Sequence, residues 1–273
     1  MIIKTLVENT SVSHDYKNEH GLSLYIETGK HRILVDTGAS GAFAENAVKM
    51  GVDLTGVELV VISHGHYDHG GGLKTFLSIN DKAKIYFSGQ AFERHYAVSP
   101  FGGKRYVGLD PTLLPNDRFV FVGKYLQLGQ GLELFSHVKA ERFVPASNAY
   151  LFRESDGALT PDVFDHEQNL IIEEDGQTVL VTGCAHKGIV NILEHVRRLK
   201  GYLPSHVVGG FHLHNPSAFT NEDPATAEVG AYLRSTGAQC YTGHCTGLDS
   251  YQKLKSIVGD NMDYLSGGRQ ITI

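Results

Sequence analysis

The chain has 273 residues, 41% of them apolar and 20% charged, with 31 glycines and a formal net charge of −6. The acidic balance argues against a nucleic-acid surface, which shows as a clustered basic excess, and no run of about 20 apolar residues offers a membrane span. The N-terminus lacks the apolar core of a signal peptide, and Cys184, Cys240 and Cys245 are too few for a disulfide framework, so a cytoplasmic location is expected.

In chain order, Ile2–Val7, Leu22–Glu27 and Ile33–Asp36 read as short strands bounded by turn residues. Ala42–Met50 has helical composition and ends at Gly51. Glu58–Ser63 is a continuous apolar run, the pattern of a strand buried on both faces. A short helix over Gly70–Ser78 and a strand over Lys84–Ser88 follow. Residues 91–118 mix Pro, Gly, Tyr and basic residues without periodicity and read as a lid or binding loop. Strand patterns return at Phe119–Val122 and Leu132–Ser136, followed by a second irregular stretch, 137–167. A hairpin is predicted for Asn169–Glu174 and Thr178–Thr182. Ile189, Ile192, Leu193, Val196 and Leu199 form an amphipathic helical stripe. A strand at His206–Gly209, a helix at Ala225–Ser235, a strand at Gln239–Thr242 and a helix at Asp249–Val258 complete the pattern. No linker or repeat interrupts it, so 1–273 reads as one α/β domain with sheets inside and helices outside.

Four potential ligands crowd into six residues at His64-Gly65-His66-Tyr67-Asp68-His69. His64 and His66 are two apart and face the same way only on an extended or looped backbone. The preceding apolar strand supplies a rigid base, and Gly70-Gly71-Gly72 lets backbone pass close to a ligand. Such a string can wrap one or two metal ions.

This string resembles the signature of the metallo-β-lactamase superfamily, and Ile33-Leu34-Val35-Asp36-Thr37-Gly38 resembles the family's early strand ending in D-x-G. The resemblance implies a four-layer αββα sandwich, with Asp36 orienting the histidine loop. Thr182-Gly183-Cys184-Ala185-His186-Lys187-Gly188, Gly209-Gly210-Phe211-His212-Leu213 and Gly243-His244-Cys245-Thr246-Gly247 are similar to a branch of that superfamily. That branch includes the 7,8-dihydropterin-6-methyl-4-(β-D-ribofuranosyl)-aminobenzene-5′-phosphate synthases and many metal-dependent hydrolases.

Each of these three segments places a histidine just beyond a strand, and strand ends in one sheet converge on one edge. A dinuclear site then takes His64, His66 and one later histidine at one ion, and Asp68, His69 and another at the second, with His186 and His244 assigned. Many family members carry a bridging aspartate where this chain has Cys184, a soft donor suited to zinc. Cys184 is a ligand or a small packed residue, and His166 stands where some members place a further ligand. His212 is expected to touch metal or substrate or to act with Asp68 in acid–base chemistry. Zinc suits the His and Asp donors, and manganese or iron fit as well.

The expected activity is hydrolysis of a small, anionic substrate (a phosphate ester, lactone or thioester) by a metal-activated water. No G-x-S-x-G motif supports a serine nucleophile. Lys104, Arg105 and Lys187 are the candidate anion-binding residues, and Phe92, Tyr96, Phe101 and Tyr106 the candidate aromatic lid. The alternative is a transferase that condenses a pterin diphosphate with an aminobenzoate derivative. His14, His20, His31, His95, His137, His195, His206 and His214 are set aside as non-ligands.

Overall fold

Neighbouring residues along the central strands point into different cores. The computed structural model, which describes residues 1–99, 102–215 and 221–273, places Ile33 and Val35 in one hydrophobic cluster and the intervening Leu34 in another. Leu170, Ile172, Val179 and Val181 likewise join the first cluster, while Ile171 and Leu180 face a third. Period-two alternation with both faces apolar is the mark of strands covered on both sides.

Two seven-stranded sheets result. One runs Gln270–Thr272, Ile2–Val7, Ser23–Glu27, Arg32–Val35, Leu59–Val61, Lys84–Ser88 and Phe119–Val122. The other runs Met262–Tyr264, Gln239–Thr242, His206–Gly209, Gln177–Val181, Gln168–Glu174, Leu132–Ser136 and Tyr125–Gly129. The cluster containing Ile3, Leu24, Ile33, Leu134, Val181 and Val208 draws on both sheets and lies between them. Phe43, Ala47, Leu73 and Phe76, from helices Ala42–Lys49 and Leu73–Ile79, cover the outer face of the first sheet. Helices Ile189–Lys200, Thr226–Thr236 and Leu248–Val258 cover the second through Ile192, Leu193, Leu233 and Leu254. Helix, sheet, sheet, helix is the expected four-layer αββα order. Among the described residues no helix is long and apolar enough to cross a membrane.

The predicted hairpin closes through Asp175 and Gly176, whose positive φ values of 49° and 76° suit the twist of the strands they join. The helix expected over Gly70–Ser78 is divided into Tyr67–Gly70 and Leu73–Ile79.

The two stretches read as irregular need correction, because they pair with each other. Arg94–Val98, Lys104–Tyr106, Leu151–Ser155 and Ala158–Pro161 make a third, four-stranded sheet in which Leu151 faces Ala97 and Arg153 faces His95. Its strands are short: Lys104–Tyr106 and Ala158–Pro161 are exposed along their length, and Arg94–Val98 and Leu151–Ser155 are partly buried without an alternating pattern, so they carry no apolar alternation. The sheet is stitched to the histidine loop: Val107 N–H donates to His95 O at 2.9 Å, and Tyr67 N–H donates to Val107 O at 2.8 Å.

Candidate metal centre

Parallel pairing sets the ends of several strands at one edge. The Leu59–Val61 strand leads to Ser63 and His64. In the facing sheet Gln177–Val181, His206–Gly209 and Gln239–Thr242 lead to Cys184 and His186, His212, and His244. Asp36 ends the strand beside Leu59–Val61, at φ 59°. Its carboxylate accepts from Ser63 N–H and Ser63 Oγ, both at 2.7 Å, and from His69 Nδ1 at 2.6 Å. This fixes the start and the end of the loop and turns His69 Nε2 inward, the orienting role expected of a carboxylate behind a ligand. Burial opposes charge on His69, but the Asp36 and Asp68 carboxylates outweigh it and raise the imidazole to about 9.

The other histidines repeat the arrangement. Nδ1 of His186 meets Asn148 Oδ1 at 3.0 Å, and the same amide donates from Nδ2 to His186 O at 2.8 Å, which sets its orientation. Nδ1 of His244 meets Asn9 Oδ1 at 2.8 Å, an oxygen that also accepts from Gly21 N–H at 3.3 Å. Nδ1 of His64 lies 2.9 Å from Ser63 Oγ. With the outer nitrogens engaged, the inner ones converge. His64 Nε2 lies 3.4 Å from His186 Nε2, and His69 Nε2 lies 3.1 Å from both His244 Nε2 and Cys184 Sγ. Asp68 Oδ2 is 3.3 Å from His244 Nε2. His66 Nε2 is buried without a hydrogen-bond partner among the described residues.

His64 Nε2 and His186 Nε2, whose Nδ1 atoms donate outward, face each other as buried lone pairs, and His66 Nε2 is buried with no partner among the described residues; both are costly unless a cation sits among them. The donors fit divalent transition metals. His64, His66 and His186 bring ligand atoms within 4.8 Å of one another, as do His64, His69 and Cys184. Asp68, His69 and His244 surround the other side. Burial, and then neighbouring histidines, hold His64 and His186 far below the usual imidazole range, and burial first does the same for His66. These rings are neutral and ready to ligate. Asp68 is held well below the usual carboxylate range: burial opposes this, and His69, His20 and His244 outweigh it. Burial and the neighbouring Cys245 push the Cys184 thiol well up.

A cavity of about 210 Å³ opens over these groups, lined among others by His66, Asp68, Cys184, His186 and His212. A larger cleft of about 590 Å³ beside Glu173, Asp175 and Tyr202 lies apart from the histidines. His212, at φ 52°, packs its ring 4.1 Å from His186 and leaves Nδ1 buried and unpartnered among the described residues. Arg105 lines the cavity and lies 5.3 Å from the Tyr67 ring. Lys104 is drawn instead to Glu154 and Tyr96, and Lys187 to Asp165 at 3.2 Å. Phe92 packs on Phe87 and Phe119 in the core, and Tyr106 donates to Leu109 O. Phe101 lies outside the described residues. Among the described residues, the tyrosines on the cavity are Tyr67 and Tyr150.

Sequence reasoning passed over several residues. His20 Nε2 reaches Asp68 Oδ2 at 3.2 Å from a coil segment. Asn9 and Asn148 carry no motif. His95 joins His66, Asp162 and His166 in a buried cluster whose ligand atoms lie within 4.8 Å of one another.

Comparison with known proteins agrees with this geometry. A relative from Methanocaldococcus jannaschii, itself uncharacterized, is 30% identical over the full length of both chains. The 7,8-dihydropterin-6-methyl-4-(β-D-ribofuranosyl)-aminobenzene-5′-phosphate synthase of the same organism is 25% identical, covering 98% of this chain and 95% of its own. A crystal structure described as a metal-dependent hydrolase of the β-lactamase superfamily superposes with a TM-score of 0.84 at 29% identity, covering 100% of this chain and 99% of that one. The model of the metallo-β-lactamase superfamily matches residues 17–218, and on that span the chain belongs to the metallo-β-lactamase superfamily.

Proposed function

We propose that the centre holds two divalent transition-metal ions, zinc suiting its donors best, and that the protein is a hydrolase of a small anionic substrate. His64, His66 and His186 would hold one ion; Asp68, His69 and His244 the other, with Cys184 between them. The observation that carries this reading is the sidedness of the histidines. His69, His186 and His244 have Nδ1 tied to a protein acceptor, and Nε2 points to a shared interior.

Divalent ions there would supply Lewis-acid polarisation and a water acidic enough to attack at neutral pH. The chain's own groups do the rest. Arg105 at the cavity wall offers the positive charge that an anionic phosphate ester, lactone or thioester product would meet. His212, with Nδ1 free of protein partners among the described residues, is placed to hold or deliver a proton to a leaving oxygen. Asp68, stripped of its proton by its histidine neighbours, orients His20 and His244.

A second reading has a specific observation behind it. The 25% identity to the pterin synthase extends over nearly both chains, and Tyr67 and Tyr150 line the cavity where a flat ring would stack. On that reading the chain condenses a pterin diphosphate with an aminobenzoate derivative. Turnover in ¹⁸O-water separates the two, because hydrolysis places solvent oxygen in the product and transfer requires a second organic substrate. Metal analysis tests what they share: about two transition-metal ions per chain are expected, and protein that carries none and takes up none refutes both.

A further inference from the structure

Gly65, between His64 and His66, is clasped from behind the centre. Its N–H donates to His166 Nδ1 at 2.9 Å, so that nitrogen carries no proton and the neutral ring keeps its proton on Nε2. His166 Nε2 then donates to Asp162 Oδ2 at 3.2 Å. The same oxygen accepts from His95 Nδ1 at 2.9 Å, and Asp162 Oδ1 accepts from Phe164 N–H at 2.7 Å. Relative exposures of His95, Asp162 and His166 are 1%, 9% and 1%, so each bond forms away from competing water. The far side of His95 presses on the same glycine: a Cβ at residue 65 would stand 3.0 Å from His95 Nε2 and 2.3 Å from Ala91 O.

The geometry points to Asp162 as a positioning residue that acts through His166 and the Gly65 N–H to set how His64 and His66 present Nε2 to metal. This rests on the metal-centre reading above. Asp162 and His166 lie outside the segments that carry the proposed ligands, and His95 comes from the third sheet. An ion held by the cluster itself is the competing arrangement. It would draw on His95 Nε2, which like His66 Nε2 is buried and unpartnered among the described residues, but His166 could join only by giving up its bond to Gly65 or Asp162, and Asp162 only by sharing oxygens that already accept from His166, His95 and Phe164.

The test uses the full chain loaded with cobalt(II), with affinity measured by chelator competition, ligand geometry by the visible spectrum, and melting of the metal-free protein as control. His166→Gln keeps one acceptor and one donor and should stay within about threefold of wild type, with the wild-type spectrum. His166→Leu and Asp162→Asn should bind cobalt about 10–100-fold more weakly with shifted visible bands. Should His166→Leu not fold, Asp162→Asn, which keeps the side-chain shape, gives the same reading. Lowered melting with wild-type cobalt affinity and spectrum in both disruptive variants would make the cluster a packing element and overturn the proposal. So would anomalous scattering from an ion among His95, Asp162 and His166. Wild-type protein that binds no cobalt would instead refute the metal centre itself.

Discussion

Replacing Asp36 by Asn should flatten the pH dependence of the metal-free protein's stability. In the wild type His69 is raised from 6.5 to about 9 when folded, against burial, by Asp36 and Asp68. A group raised on folding contributes its stability fully below about 6.5 and loses it as pH climbs through about 9. The gap from 6.5 to about 9, at about 1.4 kcal/mol per pH unit, amounts to about 3 kcal/mol. His69 and Asp36 are both fully buried, so solvent does not screen the pair. Urea unfolding of chelator-treated protein at pH 6.5 and 9.5 should show the wild type losing up to about 3 kcal/mol more than Asp36→Asn, in which Asp68 alone still favours the charged His69. Glu167, raised to about 7 by burial, titrates in both proteins and cancels in the comparison. Equal losses in the two proteins would refute the assignment of His69 as a charged partner of Asp36. The same protonation predicts that metal uptake at pH 7.5 releases a proton from His69, visible as a buffer-dependent heat of binding.

His186→Ala should lose one ion or bind it at least about tenfold more weakly, while Cys184→Ser keeps most of its metal; elemental analysis after dialysis reports both, and the reverse pattern would make Cys184 the principal ligand. His66→Ala and Asp68→Ala should abolish turnover while leaving the metal-free circular dichroism spectrum unchanged. Gly65→Ala drives a methyl to 2.3 Å from Ala91 O and should cost about 1–3 kcal/mol in denaturant unfolding. Arg105→Ala should raise KM for an anionic substrate several-fold with little change in kcat, and an unchanged KM would remove Arg105 from substrate binding.

The layered fold was readable because its signals are local. The apolar run before His64, the hairpin turn at Asp175-Gly176 and the stripe from Ile189 to Val196 each specify an element without reference to the rest of the chain. The His64–His69 string and Asp36 were readable for the same reason. The third sheet was not, because Leu151 meets Ala97 across more than fifty intervening residues, two of its strands are exposed along their length and the other two do not alternate. His95 was set aside with that stretch, although its burial and its bond to Asp162 appear once the pairing forms. His20, Asn9 and Asn148 sit in segments whose local patterns resemble ordinary loops. What distinguishes them is the atom each meets after folding: Asp68, His244 and His186.

The stitching of the third sheet to the histidine loop bears on how this scaffold can be altered. Gly108 bridges His66, Val107 O receives the Tyr67 N–H, and Val107 N–H in turn reaches His95 O. Cavity wall and histidine loop are thus one knitted fabric rather than a removable cover over a fixed floor. Grafting a relative's 91–109 segment alone would replace one side of those stitches and give Leu151–Ser155 a foreign partner in place of the internal strand Arg94–Val98. A chimera meant to exchange specificity has to carry both strand pairs, 94–106 and 151–161, together with Asp162 and His166 as a single cassette.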